Sequence, residues 1–209
     1  EGWACEARRY YFGIVGKFGA QVQALLKKAA GVDIQTVCPL HGPVLTGEAL
    51  AEALRLYDIW SRYDVESEGV MIAYASVYGN TEKAAELLAE QLKALGCPKV
   101  AVTCVQRDDW AEAVEDAFRY GKLVLAAPTY NSFLFPAMRE FIQHLTERNY
   151  QNRQVAFIEN GSWAPMAAKE MKKLLEGCKN VTLGSTVTIR SAMTEENKAQ
   201  LDALADELL

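Results

Sequence analysis

The sequence predicts a doubly wound α/β fold, in which helices cover both faces of a five-stranded parallel sheet. The main observation is a regular alternation after residue 69, where short apolar runs are followed by amphipathic stretches of helical periodicity. The apolar runs are rich in Val, Ile, Leu and Ala, and none alternates strictly between apolar and polar residues, which is typical of strands buried on both faces. A chain of 209 residues can hold one such domain and a smaller unit.

The predicted strands and helices alternate along the chain. The strands are predicted at residues 70–75, 100–105, 123–127, 155–158 and 181–189. The helices are predicted at residues 81–95, 110–120, 137–147, 166–176 and 195–208. In the first of these helices, Glu82, Glu86 and Glu90 are interpreted as a solvated face.

Residues 1–65 do not follow this alternation. They contain an amphipathic helix around residues 20–30, an apolar run at 32–39 and a second helix at about 47–63. One strand between two helices cannot build a useful core alone, so the segment is interpreted as the end of a larger domain. Residues 64–69 are the predicted linker. Because Glu1 stands where a methionine is expected, the chain is interpreted as a fragment.

Composition excludes several classes of function. A net charge of −5 argues against nucleic-acid binding. The sequence has neither an apolar run long enough for a membrane span nor a signal peptide, so we expect a cytoplasmic protein that binds no membrane. The five cysteines are scattered and form no C-x-x-C pair, which predicts free thiols.

The loop after the first predicted strand has the composition of a phosphate site. It leads directly into a helix and consists of Ser76, Val77, Tyr78, Gly79, Asn80 and Thr81. Hydroxyl groups, a small glycine and the free N–H groups of a helix N-terminus can bind an anion. The loop lacks the ending of a P-loop and the glycine pattern of a dinucleotide turn, so we expect a monophosphate. A plain helix cap is the alternative.

This loop resembles the FMN phosphate loop of flavodoxins, which has the pattern Ser/Thr-x-Tyr/Thr-Gly-x-Thr at the same place in the chain. The resemblance implies an FMN cofactor and a flavodoxin-like sheet of strand order 2-1-3-4-5.

Two further loops are predicted at the carboxyl ends of later strands, where open α/β sheets bind ligands. The second loop contains Pro128, Thr129, Tyr130, Asn131, Ser132 and Phe133. The third contains Asn160, Gly161, Ser162 and Trp163. A flavin ring needs flat apolar walls and a few hydrogen-bonding groups, so Tyr130 and Trp163 are the candidate walls.

Both loops resemble the flavodoxin domain of flavodiiron proteins (A-type flavoproteins). That family has Pro-Thr-x-Asn at the positions of residues 128–131 and Gly-x-Trp at those of residues 161–163, whereas Phe133 stands where many members have glycine. Residues 38–43, with sequence Cys-Pro-Leu-His-Gly-Pro, resemble the last metal-ligand turn of the family's metallo-β-lactamase-like αββα domain. Residues 6–11 and 57–61 resemble the same domain.

The resemblance implies that residues 1–65 are the C-terminal remnant of the di-iron domain and that residues 69–209 are the FMN-binding domain. It implies an electron relay from a rubredoxin-like donor or a reductase to a di-iron site that reduces O2 or NO, with a homodimer as one option. His41 would be a metal ligand only in a complete parent protein. The family's His-x-Glu-x-Asp-His cluster has no counterpart here, and His144 is expected on a helix surface. The chain alone is therefore expected to be an electron-transfer module.

Two alternatives remain open at this point. The first is a stand-alone electron carrier of flavodoxin type, with the N-terminal segment as a docking extension. The second is an NAD(P)H:quinone reductase of flavodoxin-like fold, which would oxidise NAD(P)H on its own.

Overall fold

The computed structural model of the chain describes residues 2–209. The N-terminal segment contains helices α1 (Trp3–Tyr10), α2 (Gly19–Ala29) and α3 (Gly47–Arg62), and the short strands β1 (Thr36–Val37) and β2 (Leu45–Thr46). The strands that follow are β3 (Ser67–Tyr74), β4 (Val100–Cys104), β5 (Tyr120–Tyr130), β6 (Phe133–Leu134), β7 (Arg153–Asn160) and β8 (Val181–Ile189). Their helices are α4 (Asn80–Ala94), α5 (Trp110–Arg119), α6 (Pro136–Thr146), α7 (Ala167–Leu175) and α8 (Glu195–Glu207).

The strands form the predicted doubly wound sheet. Its order is β4-β3-β5-β7-β8, which is the order 2-1-3-4-5 of the parallel strands within residues 2–209. All neighbours along this path are parallel. Parallel neighbours need a crossover connection, and the helices between the strands provide it. The flavodoxin-like fold class is thereby confirmed.

Alternate residues of the central strands belong to two different cores. In β3, Met71 and Ala73 pack into one core, whereas Val70 and Ile72 pack into the other. Helices α4 and α8 cover the second core, while α5, α6 and α7 cover the first. Since both faces of β3 are buried between Val70 and Ala73, apolar residues occupy both faces, which explains why this run does not alternate.

Several strand boundaries differ from the prediction, and two of these differences change the local architecture. Strand β3 begins at Ser67, inside the predicted linker, and a bulge separates Ser67 from Val70 in its pairing with β5. Gly69 lies in that bulge with φ +154°, where a β-carbon would lie 2.7 Å from the carbonyl oxygen of Lys99. At the other end of the sheet, β5 continues to Tyr130 and pairs with the antiparallel strand β6, neither of which was expected.

The N-terminal segment shares the first core with the α/β region. Tyr11, Phe12 and Trp60 are almost fully buried, and the ring of Phe12 stacks on Phe118 of α5 with centroids 4.3 Å apart. A separate apolar cluster of the segment contains only Leu45, Leu50 and Ala53 as buried members within residues 2–209. The segment therefore obtains most of its apolar burial from the α/β region.

Two buried arginines form hydrogen bonds with residues 63–66, where the N-terminal segment joins the sheet. The guanidinium of Arg153 donates to the carbonyl oxygens of Tyr63 (2.7 Å), Asp64 (3.1 Å) and Phe118. Arg8 donates two hydrogen bonds to the carboxylate of Glu66, at 2.7 and 2.5 Å. Buried polar groups are costly unless they are paired, so these bonds fix the path of the chain between α3 and β3.

The helices within residues 2–209 include none with the length and apolar character that a membrane span requires.

The first prediction concerns Glu115, which is buried in α5 beside α1. Its Oε1 accepts a hydrogen bond from the Cys5 thiol (3.3 Å) and lies 3.7 Å from the Arg8 guanidinium. Burial raises the pKa of Glu115 to about 7, against the opposing effects of Cys5, Arg8 and Arg119 and with a further rise from Asp116. Because this folded-state pKa exceeds the unfolded value, folding favours the protonated carboxyl, and stability falls as the pH rises from about 4.5 to 7.

We expect Glu115→Gln to remove this decline, which amounts to about 3 kcal/mol. Urea unfolding at several pH values measures it. Glu90→Gln, at an exposed position of α4, is the control and should keep the wild-type dependence. An unchanged pH dependence in Glu115→Gln would show that folding does not raise the pKa of Glu115.

Candidate functional site

The three predicted loops lie at one edge of the sheet. They follow β3, β5 and β7, which are neighbours in the sheet order. Because these strands are parallel, their carboxyl ends lie at the same edge. The register places Tyr74 opposite Ala126 and Pro128 opposite Asn160, so the three segments are also at similar heights.

The first loop is a tight turn held by two hydrogen bonds. The N–H of Ser76 donates to Oε1 of Gln106 (2.9 Å), and the hydroxyl of Ser76 accepts from the N–H of Gly79 (3.1 Å). Ser76 is buried, whereas Val77 is half exposed and Tyr78 is 91% exposed. The turn thus fixes its backbone while its two middle side chains face solvent.

Helix α4 begins immediately after this turn. Gly79 is the N-cap residue, with φ +84°, a conformation that favours glycine. The first helical residues are Asn80, which is partly buried, and Thr81, which is 2% exposed. Gly79 provides no side-chain cap, so the first N–H groups of α4 are available to a ligand.

The second predicted loop is a β-hairpin rather than an irregular loop. Pro128, Thr129 and Tyr130 belong to β5, and Tyr130 pairs with Phe133 of β6. The two residues between the strands, Asn131 and Ser132, both have positive φ, at 50° and 59°. Type I′ hairpin turns require this conformation at both central positions.

Thr129 supports a neighbouring helix from within the hairpin strand. Its Oγ1 accepts hydrogen bonds from the N–H groups of Met166 (2.8 Å) and Ala167 (3.2 Å) at the start of α7. The carboxylate of Glu159 accepts from the N–H of Ala168 (2.9 Å) in the same turn. Side chains from β5 and β7 therefore occupy the first donors of α7.

The third loop is fixed to the end of β8. The amide of Asn160 donates to the carbonyl of Ser191 (2.9 Å) and accepts from its N–H (3.1 Å). The N–H of Gly161 donates to Ile189, and the hydroxyls of Ser162 and Ser191 are 3.3 Å apart. Trp163, two residues beyond Gly161, is 88% exposed.

Aromatic side chains are exposed along this edge. In addition to Tyr78 and Trp163, Tyr130 and Phe133 are each about half exposed. A groove of about 370 Å³ lies beside the hairpin and is lined by Tyr130, Asn131, Phe133, Leu134, Pro136 and Arg139. Exposed aromatic side chains grouped next to a helix N-terminus are typical of a binding site for a flat, partly charged ligand.

Sequence reasoning missed the residues that the end of β4 contributes. Gln106 contacts the first loop, and the Arg107 guanidinium contacts Glu82 of α4. Glu82 is therefore not simply part of a solvated face as expected, whereas Glu86 and Glu90 are exposed. Hydrogen bonds from Tyr74 and Arg107 lower the pKa of Glu82, and burial together with the bond to Glu82 raises the pKa of Tyr74. Gln106 and Arg107 directly follow a predicted strand that neighbours β3, and this position could have identified them as residues of the site.

The two histidines lie apart from any metal-binding group. His41 is in an exposed loop, where its ring packs 5.4 Å from that of Tyr10. His144 is on α6 as predicted, where it is partly exposed and stacks on Trp110 with ring centroids 4.4 Å apart. Within residues 2–209 there is no group of three or more His, Cys, Asp or Glu residues that could hold a metal ion.

The topology and the edge loops define an α/β protein of the flavodoxin type. A family model described as "Flavodoxin domain" matches residues 71–182. Since this match covers more than half of the chain, the chain belongs to the flavodoxin domain family.

Similarity to flavodiiron proteins extends over almost the whole chain, as predicted. The chain is 24% identical to the rubredoxin-oxygen oxidoreductase of Megalodesulfovibrio gigas, over 96% of this chain and 50% of that protein. It is 26% identical to a flavo-diiron protein of Clostridium acetobutylicum, over 80% of this chain and 44% of the relative. The crystal structure of the flavodiiron protein from Giardia intestinalis matches with a TM-score of 0.86 and 22% identity, over 96% of this chain and 50% of that one.

The coverage shows how the matches relate to the N-terminal segment. Because 96% of the chain superimposes on the Giardia structure, most of residues 1–65 are included in the matched fold. The chain spans about half the length of the curated relatives it matches.

The second prediction concerns the strained hairpin turn. Ser132 has φ 59°, which costs energy for a residue with a β-carbon, whereas asparagine tolerates this region better. We expect Ser132→Gly to raise the free energy of unfolding by roughly 0.5–1 kcal/mol. Asn131→Gly, at the other central position, should raise it less. Chemical denaturation of both variants measures the difference, and a loss of stability in Ser132→Gly would argue against the strain.

Proposed function

We propose that the chain binds FMN at the carboxyl edge of the sheet and acts as an electron-transfer domain. The observation that carries this proposal is the start of α4, which lies at that edge with its first donors uncapped. Other helices of the α/β region begin differently. Side chains of Asp109, Thr129 and Thr194 accept hydrogen bonds from the first turns of α5, α7 and α8, and α6 begins with Pro136, which has no N–H.

The residues around α4 suit the phosphate of FMN. Backbone N–H groups at a helix N-terminus favour an anion through their hydrogen bonds and the helix dipole. The hydroxyl of Thr81 lies in the same turn, and Gly79 adopts a backbone conformation that other residues rarely adopt. We propose that residues 76–81 hold the phosphate. The loop has no lysine for a second phosphate, which favours FMN over a dinucleotide.

The other two segments suit the ring system of FMN. We propose that residues 128–133 and 160–163 enclose the isoalloxazine, with Tyr130 and Trp163 as the main apolar walls. Aromatic rings on backbone segments that are held by hydrogen bonds provide contact area for a ligand, and little conformational entropy is lost when the ligand binds. When bound, FMN supplies reversible one- and two-electron chemistry, while the protein supplies binding, orientation and the electrostatic environment.

The N-terminal segment supports a proposal about the full-length protein. We propose that residues 1–65 are the C-terminal part of a metallo-β-lactamase-like domain and that residues 69–209 are the FMN domain. Support comes from similarity to flavodiiron proteins over nearly the whole chain and from the likeness of residues 38–43 to a metal-ligand turn. In a full-length protein, the domain would relay electrons from a rubredoxin-like donor to a di-iron site that reduces O2 or NO, with His41 among its ligands.

The third prediction tests the cofactor. We expect the purified chain to bind FMN and to bind FAD and NAD much more weakly, because only a single phosphate has a place at α4. Flavin fluorescence titration and chromatography of the released cofactor measure this uptake. A preparation that binds FAD or NAD but not FMN would contradict the proposal.

Thr81→Ala provides the matched variant for this test. Loss of a charge-assisted hydrogen bond should weaken FMN binding by about 1.5–3 kcal/mol without unfolding the domain. Thr146→Ala, which removes a hydroxyl at the end of α6, should leave FMN binding unchanged. A lower thermal midpoint with unchanged FMN affinity would mean that Thr81 only stabilises the helix.

The fourth prediction concerns iron. We expect the chain alone to bind iron weakly and without fixed stoichiometry, because one imidazole in an exposed loop cannot hold two metal ions. Metal analysis after incubation with ferrous iron tests this, together with anaerobic turnover of NO. Two tightly bound irons per chain, or NO turnover that His41→Ala abolishes and His144→Ala does not, would contradict it.

A further inference from the structure

The connection between β4 and α5 forms a rigid turn beside the phosphate loop. The carbonyl of Cys104 accepts hydrogen bonds from the N–H groups of Arg107 (3.0 Å) and Asp108 (2.9 Å). The carboxylate of Asp108 in turn accepts from the N–H of Cys104 (2.7 Å). These hydrogen bonds stabilise the turn and orient the side chains of Gln106 and Arg107.

The Gln106 side chain contacts the phosphate loop, and the Arg107 side chain contacts the first turn of α4. Gln106 accepts from the N–H of Ser76, the first residue of the phosphate loop. The Arg107 guanidinium donates to Oε1 of Glu82, which is in the first turn of α4, and to the hydroxyl of Tyr74 (3.1 Å) at the end of β3. The Tyr74 hydroxyl donates to the same carboxylate oxygen at 2.7 Å.

The position of Glu82 creates an electrostatic conflict with a bound phosphate. Its second oxygen, Oε2, lies 4.0 Å from the point that a β-carbon on Gly79 would occupy, so the carboxylate borders the phosphate loop. A phosphate monoester carries a charge of about −1.5 to −2 at pH 7. The carboxylate therefore competes with the phosphate for the positive end of the helix dipole and repels it.

We propose that Arg107 determines the specificity of this site for a phosphorylated flavin, by neutralising Glu82 beside the phosphate loop. This inference rests on the proposed FMN site. Arg107 is mostly exposed, and it pairs with a carboxylate that is one-quarter exposed. Its guanidinium has further N–H donors beyond those bound to Glu82 and Tyr74. It can therefore stay paired with the Glu82 carboxylate and offset its charge when a phosphate is bound.

A purely structural role is the competing explanation. In that case Arg107 would only hold α4 against the ends of β3 and β4, through its contacts with Glu82 and Tyr74; this role is called a structural clip. The two roles differ in what neutralisation of Glu82 does. A structural clip is broken by Glu82→Gln as well as by Arg107→Ala, whereas charge compensation becomes unnecessary once Glu82 is neutral.

The experiment measures dissociation constants of FMN and riboflavin for the full chain and its variants. We expect Arg107→Ala to weaken FMN binding roughly tenfold and riboflavin binding less than about twofold, because riboflavin has no phosphate. Glu82→Gln should bind FMN at least as tightly as the wild type, and the double variant should regain most of the lost affinity. Lys83→Ala removes an exposed charge in the same turn, and it is the control. Thermal midpoints show whether each variant is folded.

The outcomes separate this inference from the proposed function. A wild-type chain that binds no FMN would overturn both. Wild-type FMN binding that Arg107→Ala leaves unchanged, or that it weakens to the same degree for riboflavin, would overturn the specificity role alone. Equal weakening by Glu82→Gln would indicate a structural clip, and equal weakening by Lys83→Ala would indicate only general charge attraction. Either result would also overturn it.

Discussion

Burial of the parallel sheet on both faces is the constraint on which the rest of the structure depends. Strands with no solvent-facing side must be covered by helices above and below, so each connection crosses the sheet and returns in the same direction. Met71 and Ile72 are adjacent in sequence, yet they belong to different cores. The same constraint brings segments that are far apart in sequence to one edge, because every strand points its carboxyl end the same way.

The first core also determines how the N-terminal segment is held. Phe118 of α5 stacks on Phe12, whose ring also contacts the rings of Tyr11 and Trp60. Where the chain passes from α3 to β3, Arg153 donates hydrogen bonds to three carbonyl groups. Apolar contacts therefore attach the segment to α5, and polar contacts fix its junction with the sheet.

Periodicity could predict the sheet and its helices because it reports burial, which is the dominant energetic term. It could not predict the hairpin at Asn131 and Ser132, since a type I′ turn is normally indicated by Asn-Gly and the second position here is serine. Nor could it assign a partner to Glu82. Glutamates on a helix face are usually solvated, and the bonds to Tyr74 and Arg107 arise only when the ends of β3 and β4 are neighbours. Local chemistry identified the edge loops, whereas tertiary contacts determined their supports.

The hydrogen bonds that hold the edge loops explain how exposed aromatic residues can form a ligand site. Tyr78 and Trp163 are largely exposed, but each is close to backbone that is fixed by partly buried hydrogen bonds, through Ser76 and Asn160 respectively. A ligand that binds at this edge orders side chains but not loops, so less of the interaction free energy is lost to entropy. The hairpin is the exception, because its turn is held in a costly conformation. Strain of this kind persists where the surrounding structure enforces it, and here Thr129 anchors the strand to α7 directly before the turn.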